Sequence, residues 1–138
     1  MAKKLPITAP PLRVVTLLYD NLLGTSATLP VEMLRTAEAS ARPNNPSSRR
    51  VEAMTVSIDE QPVISPSGFD ITPSKTIDEV HHCDIISLPA LWRNPRPALQ
   101  KYRRYIPWLQ QQAQQGAVVI AVGTGVCFLA EAGLLDKQ

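Results

Sequence analysis

Ala117-Val118-Val119-Ile120-Ala121-Val122-Gly123-Thr124-Gly125-Val126-Cys127-Phe128-Leu129-Ala130-Glu131-Ala132 is the stretch on which the fold turns. Gly116 supplies a stop for whatever precedes it, and the unbroken apolar run 117–122 is the most convincing strand in the chain. Gly123-Thr124-Gly125 then allows a tight turn straight into a helix from Val126 to Ala132. A strand that turns directly into a helix is part of a βα unit, and βα units build parallel sheets.

Working towards the N-terminus, the pattern repeats. Between Pro97 and Gln115, residues Leu99, Tyr102, Ile106, Leu109 and Ala113 recur at three or four and mark one apolar helical face. Pro107 lacks an N–H and clashes with the preceding turn, so this region is either a kinked helix or two short ones with Pro107 in the first turn of the second. Gln110-Gln111-Gln112-Ala113-Gln114-Gln115 is rich in a good helix former and reads as a solvated helix face. Cys83 to Leu88 is an apolar strand that Pro89 ends, and Ile77 to Val80 is a single helical turn.

Val51 to Ile58 predicts another strand, followed by a hairpin of Pro62–Ser65 and Gly68–Ile71 around Pro66-Ser67-Gly68. A helix from about Ala27 to Ala41 carries Leu29, Met33, Leu34 and Ala37 at helical spacing and stops at Arg42-Pro43. Leu12 to Tyr19 is nearly continuous and β-favouring, which places it in the centre of the sheet. The order is therefore βαβ, hairpin, βαβα, an α/β fold with a mostly parallel sheet and helices on both faces. In such sheets ligands bind beyond the carboxyl ends of the strands, which points to the turns after Tyr19, Leu88 and Val122.

The totals restrict the class without choosing a partner. With 138 residues the chain suits one domain, and 14 basic against 12 acidic residues leave a net charge of +2, too little by itself to argue for nucleic acid. No run approaches the ~20 apolar residues of a membrane span, and the start lacks a signal-peptide core, so a cytoplasmic protein without membrane contact is expected. Cys83 and Cys127 form no CxxC pair and read as free thiols.

Candidate chemistry is sparse. The GxGxxG dinucleotide pattern fails at Phe128, so no cofactor is expected. His81-His82-Cys83 superficially resembles a soft-metal cluster, but adjacent residues cannot all converge on one ion, so no metal is expected and the stretch reads as surface. Arg93, Arg96, Lys101, Arg103 and Arg104 form a run without acids, read as a solvated helix face with phosphate contact as the alternative. Trp92 and Trp108 flank it, as core residues or interface anchors. Cys127 reads as a small core residue one turn into its helix, and Thr124 as a helix cap.

Residues 121–136, Ala-Val-Gly-Thr-Gly-Val-Cys-Phe-Leu-Ala-Glu-Ala-Gly-Leu-Leu-Asp, resemble the nucleophile-elbow segment of the ThiJ/PfpI superfamily in the form found in AraC-type regulators, with the Ala-Glu-Ala-Gly-Leu-Leu tail as the specific feature. Leu29-Pro30-Val31-Glu32-Met33-Leu34-Arg35, the hairpin Val63 to Ile71, and Asp84-Ile85-Ile86-Ser87-Leu88-Pro89 follow the same family in order. The resemblance implies a flavodoxin-like, class I glutamine amidotransferase-like sandwich over residues 12–138, preceded by an N-terminal arm over 1–11. It further implies a domain incomplete at its C-terminus, because relatives continue into more sheet and then a DNA-binding helix-turn-helix.

Three departures from the family remove its chemistry. The position of the family's nucleophilic cysteine is Gly123, the acidic residue four before the first-helix proline is Ser26, and the Gly-Gly of the oxyanion loop is Ala90-Leu91. No catalytic residue is therefore expected. The resemblance implies instead a ligand-sensing and dimerisation domain of a transcriptional regulator, with Ser26, Ala90, Leu91, Gly123 and Thr124 lining the effector pocket. DNA would be bound only through a helix-turn-helix domain outside this chain. Apolar surface left by the absent elements favours a homodimer. A divergent hydrolase or glyoxalase of the same superfamily is the alternative.

Overall fold

A computed structural model describes residues 9–136. Most of the proposed N-terminal arm, and the last two residues, lie outside the described residues. Seven strands and four α-helices follow in the order β1 (Leu12–Leu17), α1 (Gly24–Ala41), β2 (Val51–Ser57), β3 (Val63–Ile64), β4 (Asp70–Ile71), β5 (Lys75–Thr76), β6 (Ile85–Leu88), α2 (Arg96–Lys101), α3 (Tyr105–Gln114), β7 (Val118–Ala121) and α4 (Val126–Glu131). Single 3₁₀ turns at Ile77–Glu79 and Gly123–Gly125 complete the set.

The main sheet has the order β5-β2-β1-β6-β7 and every pair in it is parallel. β1 is central because its apolar run tolerates burial on both faces: Val14, Val15, Thr16 and Leu17 are all buried. β3 and β4 form the expected antiparallel hairpin apart from the main sheet. The helical region after β6 divides in two, with Pro107 in the first turn of α3, where a missing N–H breaks no helical bond.

Alternation along β1 separates two environments. Val15, Leu17 and, just past the strand, Tyr19 belong to the buried cluster that Tyr102, Tyr105, Leu109 and Phe128 complete. Tyr19 and Phe128 stack with centroids 4.8 Å apart, and Tyr102 and Tyr105 stack at 5.4 Å. The opposite face is thinner. α1 starts three residues earlier than expected, and its only buried residue is Ala27. Leu29 and Met33, expected on its packed side, are 50% and 64% exposed, because the helix turns Ala27, Pro30, Val31 and Leu34 inward instead.

β7, the most apolar strand in sequence, is the edge of the described sheet, and Val118 is 60% exposed. The glutamine run also departs from expectation: Gln112 is fully buried. Its Oε1 accepts from the Cys83 N–H at 3.2 Å while its Nε2 donates to the His81 carbonyl at 3.0 Å. It satisfies a bend in the segment before β6 that no backbone ladder reaches.

Candidate functional site at the strand-to-helix elbow

β1 and β6 are neighbours, yet β1 leads away to β2 and β6 to β7 on the other side. The chain reverses its direction of winding there, and the crevice beyond the carboxyl ends of such a strand pair is where open α/β sheets hold ligands. The five residues singled out from sequence all come to this place: Ser26 from the first turn of α1, Ala90 and Leu91 from the loop after β6, Gly123 and Thr124 from the elbow after β7.

Their polar atoms are engaged with one another. Ser26 Oγ accepts the Ala90 N–H at 2.9 Å and donates to the Leu23 carbonyl at 2.7 Å. Thr124 Oγ1 accepts the Leu91 N–H at 2.8 Å and lies 3.2 Å from the Leu91 carbonyl. Thr124 is thus not a helix cap, since α4 begins with no side-chain cap. It joins the elbow to the β6 loop.

Backbone bonds close the same crevice. Leu23 N–H donates to the Ala90 carbonyl and Trp92 N–H to the Asn21 carbonyl, each at 2.8 Å, and Leu22 and Leu91 form an isolated antiparallel bridge. The loops after β1 and β6 are therefore zipped together where ligand space opens in related architectures. Beneath them, the Tyr19 hydroxyl donates to the Pro89 carbonyl, and burial drives its pKa above the usual phenol range, keeping it a neutral donor.

Gly123 stands at the apex with φ +52° and is exposed. The left-handed backbone geometry suits glycine, and a Cβ there would meet the Ala90 Cβ at 3.4 Å. Gly125 faces the opposite constraint. A Cβ on it would fall within 3.0 Å of the Leu88 and Pro89 carbonyl oxygens, so the elbow packs backbone to backbone against the end of β6. Two glycines in three residues thus serve different ends: one sets the turn, the other allows close approach.

The remaining candidates separate. His81 and His82 are exposed, but Cys83 is buried, and burial pushes its thiol up to about 11. Among the described residues no group of three His, Cys, Asp or Glu is placed to hold a metal ion. Cys127 is half-buried rather than a core residue. Trp108 is buried with its indole N–H on the Val80 carbonyl, whereas Trp92 is 49% exposed with the Arg93 guanidinium 5.6 Å from its ring centroid. No described helix is long and apolar enough to cross a membrane.

No family model matches the chain. The HTH-type transcriptional regulator GbdR of Pseudomonas aeruginosa is 35% identical over 121 residues, which are 87% of this chain and 30% of that protein. This chain therefore spans under a third of the relative's length. The AraC family transcriptional regulator from Pseudomonas putida superposes with a TM-score of 0.72 at 22% identity, covering 93% of this chain and 64% of that one. A ThiJ/PfpI family protein from Pseudomonas syringae gives 0.72 at 17% identity, covering 91% and 47%. The chain therefore has the α/β fold of the ThiJ/PfpI family protein, which the AraC family regulator shares, and in sequence it is similar to part of an HTH-type transcriptional regulator.

Proposed function

We propose that this chain is the effector-sensing and dimerisation domain of an AraC-type transcriptional regulator, and that it recognises its ligand without transforming it. One observation carries the reading: at the elbow, position 123 has no side chain, and the Ala90 and Leu91 N–H groups are already bonded to Ser26 and Thr124. A thiolate nucleophile and free donors for a developing oxyanion are both lacking. The regulator relatives support the same conclusion.

The stitched loops also offer a way to sense. An effector resting on exposed Gly123, with a carbonyl or carboxylate oxygen competing for the Ala90 and Leu91 amides, would release Ser26 and Thr124. The first turn of α1 would then lose its tie to the β6 loop. Binding energy that differs between tied and released states shifts the population between them, which is all that a sensor requires. DNA contact would lie in a helix-turn-helix domain outside this chain.

A thermal-shift screen of small amides, amino acids and quaternary amines tests the effector site. A rise in Tm that vanishes in Gly123→Trp, judged against that variant's own unliganded Tm, is expected. No stabilisation by any compound, or a shift that survives the substitution, counts against it. Sedimentation over a concentration series tests dimerisation, and a monomer throughout would remove that part. Fast alkylation of Cys127 at neutral pH would favour the enzymatic alternative.

A further inference from the structure

The basic run from Arg93 to Arg104 is not one uniform face. Lys101 pairs with Asp20, and Arg104 holds both carboxylate oxygens of Asp78, at 3.1 and 2.9 Å, together with the Ile58 carbonyl. Arg93 lies over Trp92. Arg96 and Arg103 remain, and among the described residues neither has an acidic partner within 4.0 Å. Both line the same cleft of about 620 Å³, Arg96 from the start of α2 and Arg103 from the turn between α2 and α3, with Leu99 and Gln100 in the same lining.

We propose that this cleft is a second ligand site, for a small molecule that carries a phosphate or carboxylate on an apolar ring or chain. The two guanidinium groups are the donors whose planar forks match such oxyanions, and among the described residues no acid pairs with either within 4.0 Å. Leu99, Ile106 and Pro107 give an apolar floor, and the volume falls in the range of small-molecule sites. Glu131, at the end of α4, is the one acid in the lining, and it places an acceptor where a ligand hydroxyl or amine would be favoured. The cleft shares no residue with the elbow, so the two sites stand or fall separately.

Calorimetric titration of the 138-residue chain at low ionic strength with phenyl phosphate, benzoate and inorganic phosphate tests the assignment. Phenyl phosphate is expected to bind, with R96Q and R103Q each weakening it on the order of tenfold. Leu99→Ala is expected to weaken phenyl phosphate while sparing inorganic phosphate, which needs no apolar floor. Benzoate binding as tightly as phenyl phosphate would identify the carboxylate as the preferred headgroup of the same site. Neither arginine holds an acid, so both variants should keep the wild-type circular dichroism and Tm. Absence of binding by all three compounds at millimolar concentration, or binding indifferent to both arginines, overturns the proposal. Duplex DNA binding more tightly than phenyl phosphate with the same arginine dependence would also overturn it, by making the surface a polyanion contact.

Discussion

Ser26 Oγ accepts from the Ala90 amide at 2.9 Å while donating to the Leu23 carbonyl at 2.7 Å, so a single hydroxyl bridges the start of α1 to the loop after β6. Ser26→Ala leaves a half-buried N–H without its acceptor, at a cost of about 1 kcal/mol. Thr124→Val removes the matching bond to Leu91 while keeping the side chain's shape, and a similar loss is expected. Thr124→Ser, which retains the hydroxyl, should recover most of it. Urea denaturation of the three variants measures this, and an unchanged midpoint in both deletions would mean that water replaces the hydroxyls freely.

Gly125→Ala should be the most damaging glycine substitution in the elbow. Its φ of −56° is open to any residue, so strain in the backbone is not the issue. The added methyl would press on the Leu88 and Pro89 carbonyls, and overpacking of this severity costs about 3 kcal/mol. Gly116→Ala has nothing within 4 Å of its Cβ but sits at φ +94°, so only conformational strain of about 1 kcal/mol is expected. A Tm that falls further for Gly116→Ala than for Gly125→Ala would contradict the packing argument.

Gln112→Leu should be costly although the side chains are of similar size. The buried Cys83 N–H and the part-buried His81 carbonyl both lose their partner, which predicts a loss of about 2 kcal/mol, most of it at the Cys83 amide. Gln111→Leu, at an exposed neighbouring position, is the control and should be nearly neutral.

Stability should fall in alkali. The Cys83 thiol is raised by burial from 9.0 to about 11, so between those values the unfolded chain releases a proton that the folded one keeps. The contribution is complete below pH 9 and is lost as pH rises to about 11, by at most about 2.7 kcal/mol. Lys101, raised chiefly by its hydrogen bond to Asp20, titrates in the same direction. Comparison with Cys83→Ala isolates the thiol, and the slope above pH 9 should be shallower in that variant. At neutral pH a thiol reagent should modify half-buried Cys127 before Cys83.

Much of this architecture is legible in sequence because local composition decides it. The apolar runs at β1, β6 and β7, the hairpin around Pro66-Ser67-Gly68 and the helix boundary near Pro107 all follow from residues within a few positions. That Ser26, Ala90, Leu91, Gly123 and Thr124 lie near one another also follows from the family resemblance of their segments. What escapes is whatever depends on distant partners. Ser26 meets Ala90 across 64 positions, and Thr124 meets Leu91 across 33. Nothing local marks their hydroxyls as acceptors for those amides. Gln112 looks like its exposed neighbours until the segment before β6 lies against it. Leu29 and Met33 satisfy a helical period, yet periodicity alone does not say whether another element covers that side.

Trp92 gives the zipped loops an optical consequence. Its backbone N–H holds the Asn21 carbonyl, next to the Leu91 that Thr124 secures, while its ring is half in solvent under Arg93. Trp108, the second of the chain's two tryptophans, is buried and anchored at Val80. Emission on the red side of the spectrum, and the fraction accessible to acrylamide, therefore come mainly from the loop after β6. Whatever loosens the elbow should change the fluorescence of one tryptophan and leave the other dark to quencher, so the molecule reports on its own joint without a label.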